Sequence, residues 1–267
     1  MIIKKSRAEV DKMFRAGQVV ARAHEAVAAK LQPGMTTADL DAIAEDVIRG
    51  YGAIPSFLGY RGFPASLCTS KNHEIVHGIP SDDVVLNEGD LISVDCGAIL
   101  EGFHGDSAVT LIVGGDDAVS AEVRDLVRHT RTSLWQGLAA AAPGNRVGDV
   151  GAAVEAVAMD HGYGVVREYV GHGIGRALHE DPSIPNYGTP GRGAKFSKGW
   201  VIAIEPMFNL GTEQTVELDD GWTVVTADGS LSAHWEHTVA VTEDGPWVLT
   251  AREDEPQHPL TDGVPVY

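Results

Sequence analysis

The second half of this chain repeats the first at an offset of 110 residues, and this constrains its fold more than any other feature. Aligning 33–52 with 143–162 matches Pro33 with Pro143, Gly34 with Gly144 and Gly52 with Gly162. It also pairs Asp39 with Asp149, Ala42 with Ala152, Glu45 with Glu155 and Val47 with Val157. The same offset lays 89–95 over 199–205, and so Asp95 over Glu205. Beyond that point the offset grows to 130, where His104-Gly-Asp106 falls over His234-Trp-Glu236. Each of these later correspondences ends on a carboxylate. Such a chain is expected to fold as two similar α+β halves facing each other, with no linker between them. The extra residues of the second half read as a hairpin around Asp219-Asp220-Gly221.

Local patterns fill in the halves. Val10, Met13, Phe14, Gly17, Ala21, His24, Val27, Ala28 and Leu31 recur at helical spacing, and Pro33-Gly34 ends that helix. Thr36 is the expected N-cap of a second helix, with Asp39 three residues on and Leu40, Ile43, Val47, Ile48 and Tyr51 along its face. Residues 91–94 and 108–113 read as strands. A helix restarts near Val119 and breaks at Pro143-Gly144. The next carries Val147, Val150, Val154 and Val157. The expected organisation is one catalytic domain over 1–267, with halves at about 6–115 and 116–250.

The formal net charge of −18 argues against a general nucleic-acid or anionic-membrane binder, which needs the opposite sign. Two cysteines, Cys68 and Cys96, make no disulfide framework and fit a reducing cytosol. Residues 1–10 contain no apolar signal region, and no uncharged run reaches the ~18 residues of a membrane span. A soluble cytoplasmic protein is expected. Its 38 carboxylates are also raw material for a hard-metal site.

The segment from Asp95 to Asp106 reads as strand, turn, strand. With the turn centred on Leu100-Glu101, Asp95 would face Asp106 directly, at a Cβ separation of ~5 Å where like charges repel. A shifted turn would instead leave one Asp on the surface, and the segment alone does not decide between them. The repeat favours convergence, because it supplies Glu205 and Glu236 at the equivalent places. His172, in Gly171-His-Gly-Ile-Gly175, adds a nitrogen on a glycine-rich turn. Four carboxylates and one histidine exceed what one zinc site uses and suit a pair of divalent ions ~3.5–4 Å apart.

A competing motif is present. His73-Glu-Ile-Val-His77 matches H-E-x-x-H, which binds zinc only when both histidines share a helix face. Gly78 and Pro80 follow at once, and Pro64 and Asn72 precede, so a helix there is not expected.

Taken in order and spacing, His77-Gly-Ile-Pro80, Asp95, Phe103-His-Gly-Asp106, Gly171-His-Gly-Ile-Gly175, Leu178-His-Glu180, Ile204-Glu-Pro-Met207 and Trp235-Glu-His237 resemble the signatures of type I methionine aminopeptidases. The similarity spans residues 6–250. It implies the α+β pita-bread fold, two pseudo-symmetric halves with antiparallel sheet flanked by helices, around a dinuclear centre. It further implies removal of the amino-terminal methionine from nascent proteins, with a small uncharged second residue preferred. By the same resemblance Asp95, Asp106, His172, Glu205 and Glu236 are the metal ligands, Asp106 and Glu236 bridging. The ions are two divalent metals per chain, drawn from Co, Mn, Fe(II) or Zn. His77 and His179 match substrate-facing catalytic histidines, and Tyr60, Phe63, Cys68 and Trp222 match the methionine pocket. Glu205 is the expected general base. The implied enzyme is monomeric, works near the ribosome on nascent chains, and binds neither DNA nor membrane. Phe57, Arg61 and Leu178 depart from residues frequent in the family, a cysteine, a histidine and an aromatic respectively. Two rivals are an Xaa-Pro dipeptidase of the same fold and a non-catalytic binding protein, which would be expected to have lost ligands.

Overall fold

Ser6 and Thr36 begin helices for the same physical reason. The Ser6 hydroxyl accepts from the Glu9 backbone N–H, while the Glu9 carboxylate accepts from the Ser6 N–H at 2.9 Å, starting α1 (Arg7–Lys30). Thr36 and Asp39 repeat this box at α2 (Thr37–Gly50). Ser120 caps α3 (Ala121–Ala140), and Asp149 accepts from the Arg146 N–H at the start of α4 (Val147–His161). Such a cap is worth about 1 kcal/mol. Thr37 and Val147 stand 110 residues apart, so the offset read from sequence is the offset of the helices. The computed structural model describes residues 1–265.

Strands β1 (Ile54–Pro55), β2 (Leu67–Lys71), β3 (Glu74–Val76), β4 (Leu91–Leu100) and β5 (Phe103–Ile112) complete the first half. In one antiparallel sheet β4 pairs with β1, β2 and β5. The second half adds β6 (Gly164–Val165), β7 (Gly171–Gly173), β8 (Glu180–Ile184), β9 (Val201–Ile204), β10 (Met207–Asn209), β11 (Thr215–Glu217), β12 (Val224–Thr226), β13 (Ser232–His234), β14 (His237–Thr242) and β15 (Gly245–Val248). Its main sheet has the order β15-β14-β9-β7-β8, and β9 begins 110 residues after β4. Both helix pairs pack on these sheets through one apolar core, which holds Val20, Leu40, Ile48 and Val94 from the first half and Trp135, Val150, Val154 and Ile202 from the second.

The predicted stripe of α1 is buried between Val10 and Val27 except for the half-buried Phe14, and Ala28 is exposed in the last turn. On α2 the buried line is Leu40, Ala44 and Ile48, one every four residues. Tyr51 caps the helix rather than extending its face and is 58% exposed. Helix α1 crosses β5 at two glycines, where a β-carbon on Gly105 would sit 2.7 Å from the Gly17 nitrogen. That contact holds the strand bearing Asp106 against the helix.

The β4–β5 hairpin corrects the expected turn. Leu100 pairs with Phe103, so the two-residue loop is Glu101-Gly102 rather than one centred on Leu100-Glu101. Both loop residues have positive φ, 52° and 78°, as tight hairpin turns matching strand twist require. Asp95 therefore faces Ala108, and Asp106 faces Gly97. The two aspartates remain on one sheet face, as diagonal neighbours instead of opposed ones.

The halves meet along β5 and the segment entering β14. Ala108 and Glu236 exchange backbone hydrogen bonds, at 3.3 Å for the Ala108 N–H and 2.9 Å for the Glu236 N–H. On either side a threonine hydroxyl stands in for the ladder. Thr238 bonds the N–H and C=O of Asp106, and Thr110 those of His234. The insertion of the second half is a hairpin, β11–β12, around residues 218–223, as expected. Its strand β12 also pairs with β3, Val224 beside Val76, which lashes it across to the first half.

Candidate metal centre and active site

Each of the five predicted ligands stands on a strand or at its end. Asp95 lies in β4 beside Cys68 of β2, Asp106 in β5, and His172 in β7. Glu205 and Glu236 stand one residue beyond the last β9–β14 pair, Ile204 with His237. The fold brings all five to the floor of one cavity between the halves. His172 Nε2 is 3.8 Å from Asp106 Oδ2 and 3.6 Å from Glu205 Oε1. One ligand atom each of Asp106, His172 and Glu236 lie within 4.8 Å of one another.

Among the described residues, no lysine or arginine neutralises this cluster. The basic groups nearest its oxygens are the imidazoles of His172 and His234, which burial keeps neutral. Asp95 Oδ1, Asp106 Oδ1 and Glu236 Oε1 are buried without a hydrogen-bond partner, which costs several kcal/mol for a charged group. Burial, and then the neighbouring carboxylates, push Asp95 and Glu236 far above the carboxylate range. Burial raises Asp106 to about 7; burial and Asp106 raise Glu205 to about 8. A cation among these oxygens removes the conflict at its source.

The imidazole of His172 is prepared for the same partner. Its Nδ1 lies 2.9 Å from the Gly173 carbonyl, which can only accept, so the proton sits on Nδ1 and the Nε2 lone pair faces the carboxylates. Burial, then His179, lowers its pKa to about 3, keeping it neutral. Four carboxylates and one neutral imidazole, with orphaned oxygens, fit a hard divalent cation.

The cavity encloses about 710 Å³, open mouth included, and its walls are Phe57, Tyr60, Phe63, Cys68, Leu178 and Trp222. Phe63 and Trp222 meet edge to face at 5.0 Å. Burial raises the Cys68 thiol well above its usual pKa, so it presents an uncharged sulfur. His77 and His179 stand on the wall above the carboxylates. Burial and then His179 lower His77 to about 4; burial and then Arg61 lower His179. The Tyr60 hydroxyl lies 2.9 Å from His179 Nδ1.

Two buried histidines beside the centre were not among the predicted site residues. His234 Nε2 lies 4.0 Å from Glu205 Oε2 and lacks a hydrogen-bond partner, and His104 Nδ1 bonds Ser56 Oγ at 2.9 Å. Each stands two residues before a predicted ligand carboxylate, a spacing that is only a partial signal for them in the sequence.

The H-E-x-x-H segment holds no helix. His73 is an exposed turn residue, Glu74–Val76 is a strand, and His77 has φ 62°. The Glu74 carboxylate is occupied by the Lys71 N–H at 2.6 Å. We therefore expect His73→Ala to retain its metal and to keep kcat/KM within about tenfold, ~1.4 kcal/mol of barrier. His77→Ala should lower kcat/KM about a hundredfold without emptying the site. Metal analysis and peptide turnover of both variants check this. Loss of metal in His73→Ala would move the centre to the H-E-x-x-H motif.

The sequence profile of metallopeptidase family M24 matches residues 11–243. Methionine aminopeptidase 1 of Mycobacterium tuberculosis is 54% identical over 256 residues, 94% of this chain and 95% of that one. The methionine aminopeptidase of Clostridium acetobutylicum is 51% identical over 253 residues, 95% of this chain and all of that one. The crystal structure of methionine aminopeptidase from Thermotoga maritima superposes with a TM-score of 0.91 at 44% identity, covering 94% of this chain and all of the other.

Proposed function

This chain belongs to metallopeptidase family M24, and on that premise we propose that it is a methionine aminopeptidase working with two divalent ions held between its halves. The observation that carries the reading is the set of buried, unneutralised carboxylates around His172 at the floor of an aromatic, thiol-lined cavity. Asp95, Asp106, His172, Glu205 and Glu236 would hold the ions, with Asp106 and Glu236 shared. When bound, such ions supply Lewis acidity and make water acidic enough to attack near neutral pH.

The chain's own groups do the rest. Glu205, partly open to the cavity, takes the proton of the attacking water and passes it to the departing amine. A Tyr60 hydroxyl donating to His179 Nδ1 leaves the imidazole proton on Nε2, where it can donate to the oxygen of the scissile carbonyl. His77, neutral and set edge-on to Tyr169 and Trp222, orients the peptide. Tyr60, Phe63, Cys68 and Trp222 accept an unbranched thioether chain, whose sulfur suits aromatic edges. Crowding past the pocket restricts the second residue to small uncharged ones. We take the whole chain as one catalytic domain, a monomer acting on nascent amino termini in the cytoplasm, near the ribosome. Among the described residues, no helix is long and apolar enough to cross a membrane.

A dipeptidase for Xaa-Pro bonds is the rival with the same centre. Protein refilled with Mn(II) or Co(II) is expected to release methionine from Met-Ala-Ser and to cleave Ala-Pro at less than about a hundredth of that kcat/KM. Faster turnover of Ala-Pro would overturn the methionine assignment while leaving the metallopeptidase chemistry in place.

A further inference from the structure

Arg61 lines the cavity mouth, yet the reaction described above gives it no task. It sits in a turn fastened to itself: the Tyr60 N–H donates to Phe57 O at 2.8 Å, the Gly59 N–H to Phe63 O at 2.8 Å, and the Phe63 N–H to Tyr60 O at 2.9 Å. Gly59, Arg61 and Gly62 all have positive φ, at 84°, 50° and 91°. Such a backbone disfavours a residue with a β-carbon, and the bonds around the turn hold Arg61 in it. The guanidinium lies 5.3 Å from the Tyr60 ring and is exposed. Among the described residues it forms no ion pair, whereas Arg7, Arg15, Arg22 and Arg49 each hold a carboxylate. In a chain where carboxylates outnumber lysines and arginines 38 to 20, an exposed cation at the mouth of an acidic cavity with no carboxylate partner among the described residues points to a partner from outside.

We propose that Arg61 makes the enzyme favour peptides with an acidic side chain just beyond the scissile bond, at the third residue of the substrate. The inference rests on the aminopeptidase reading. If the first residue fills the pocket and the second is crowded at the floor, the chain from the third residue on leaves through the mouth. There a planar guanidinium offers paired donors to a carboxylate. The insertion hairpin carries opposite charge beside Trp222, but the Asp220 carboxylate is engaged by the Trp222 and Thr223 N–H groups and the Thr223 hydroxyl. Comparing variants at position 61 isolates the guanidinium from that background.

The test uses the metal-filled enzyme and three amidated peptides, Met-Ala-Glu-Gly, Met-Ala-Ser-Gly and Met-Ala-Lys-Gly, whose blocked ends remove the terminal carboxylate. At low ionic strength, kcat/KM for the Glu peptide should exceed that for the Lys peptide about tenfold, mainly through KM, shrinking to about twofold in ~0.3 M salt. Arg61→Gln should bring the low-salt ratio within about twofold of unity, and Arg61→Glu should invert it. The same ratio in wild type and Arg61→Gln overturns the inference alone, since the peptides are still cleaved. A shifted kcat–pH profile in Arg61→Gln, equal on all three peptides and with the ratio kept, also overturns it by assigning the guanidinium to His179. If the wild type cleaves none of the peptides, the aminopeptidase reading falls as well.

Discussion

Replacing Asp106 or Glu236 by alanine is expected to empty the metal centre and lower Met-peptide turnover at least about a thousandfold, ~4 kcal/mol of barrier. Both side chains are buried with an oxygen that lacks a hydrogen-bond partner among the described residues, and a ligand atom of each lies within 4.8 Å of one of His172. On the proposed ligand set, losing either would leave too few shared oxygens to hold two cations together. The variants should still fold, because the seam at Asp106 is made by its backbone through Thr238, and that at Glu236 by its backbone to Ala108. Burial raises both carboxyls in the metal-free protein, so each is a native-state cost there. Alanine removes that cost, and the metal-free variants should melt no lower than metal-free wild type. Two metals per chain with near-normal turnover in either variant would sink the ligand assignment. A lower melting temperature would mean that the side chain supports the fold.

Glu205→Gln separates holding metal from moving protons. Glu205 is nearest to imidazoles, with Oε1 3.6 Å from His172 and Oε2 4.0 Å from His234, and it opens partly to the cavity. A glutamine keeps an oxygen for the metal but cannot accept a proton. With excess metal restoring occupancy, kcat should fall ~10²–10⁴-fold while KM changes far less. Stopped assays at saturating Met-Ala-Ser, paired with metal analysis of the same samples, read both quantities. An unchanged kcat at full occupancy would transfer the base to another group, with His234 the nearest untested candidate.

The repeat was legible because it is written in residues that cannot easily be exchanged. Prolines and glycines end the first helix of each half, and Asp39 and Asp149 cap the next one. The carboxylates followed, since each stands at the equivalent strand position of its half. The hairpin turn lies one residue later than the Leu100-Glu101 centre the sequence suggests. Gly102 carried the correct signal, as tight hairpin loops favour glycine second. The error left the chemistry intact, because a shift of two positions keeps a strand residue on its face.

What the sequence hid was the contact between the halves. The seam runs through the hydroxyls of Thr110, Thr238 and Ser107, which bond the opposite backbone where an ordinary ladder would leave a readable strand pattern. The pairing of β12 with β3 is equally silent, since the residues that meet, Val224 and Val76, lie far apart in the chain. His104 and His234 were visible as letters two places before each carboxylate, but their burial depends on that unseen seam.

On the proposed chemistry, the carboxylate cluster between the halves should work only with cations bound. The most direct measurement strips the purified wild-type protein with a chelator and refills it stepwise with Mn(II). Metal content by plasma mass spectrometry and Met-Ala-Ser turnover are then followed together. The stripped protein should show no turnover, with recovery that follows binding and saturation at about two ions per chain. Full turnover by protein free of metal would contradict it.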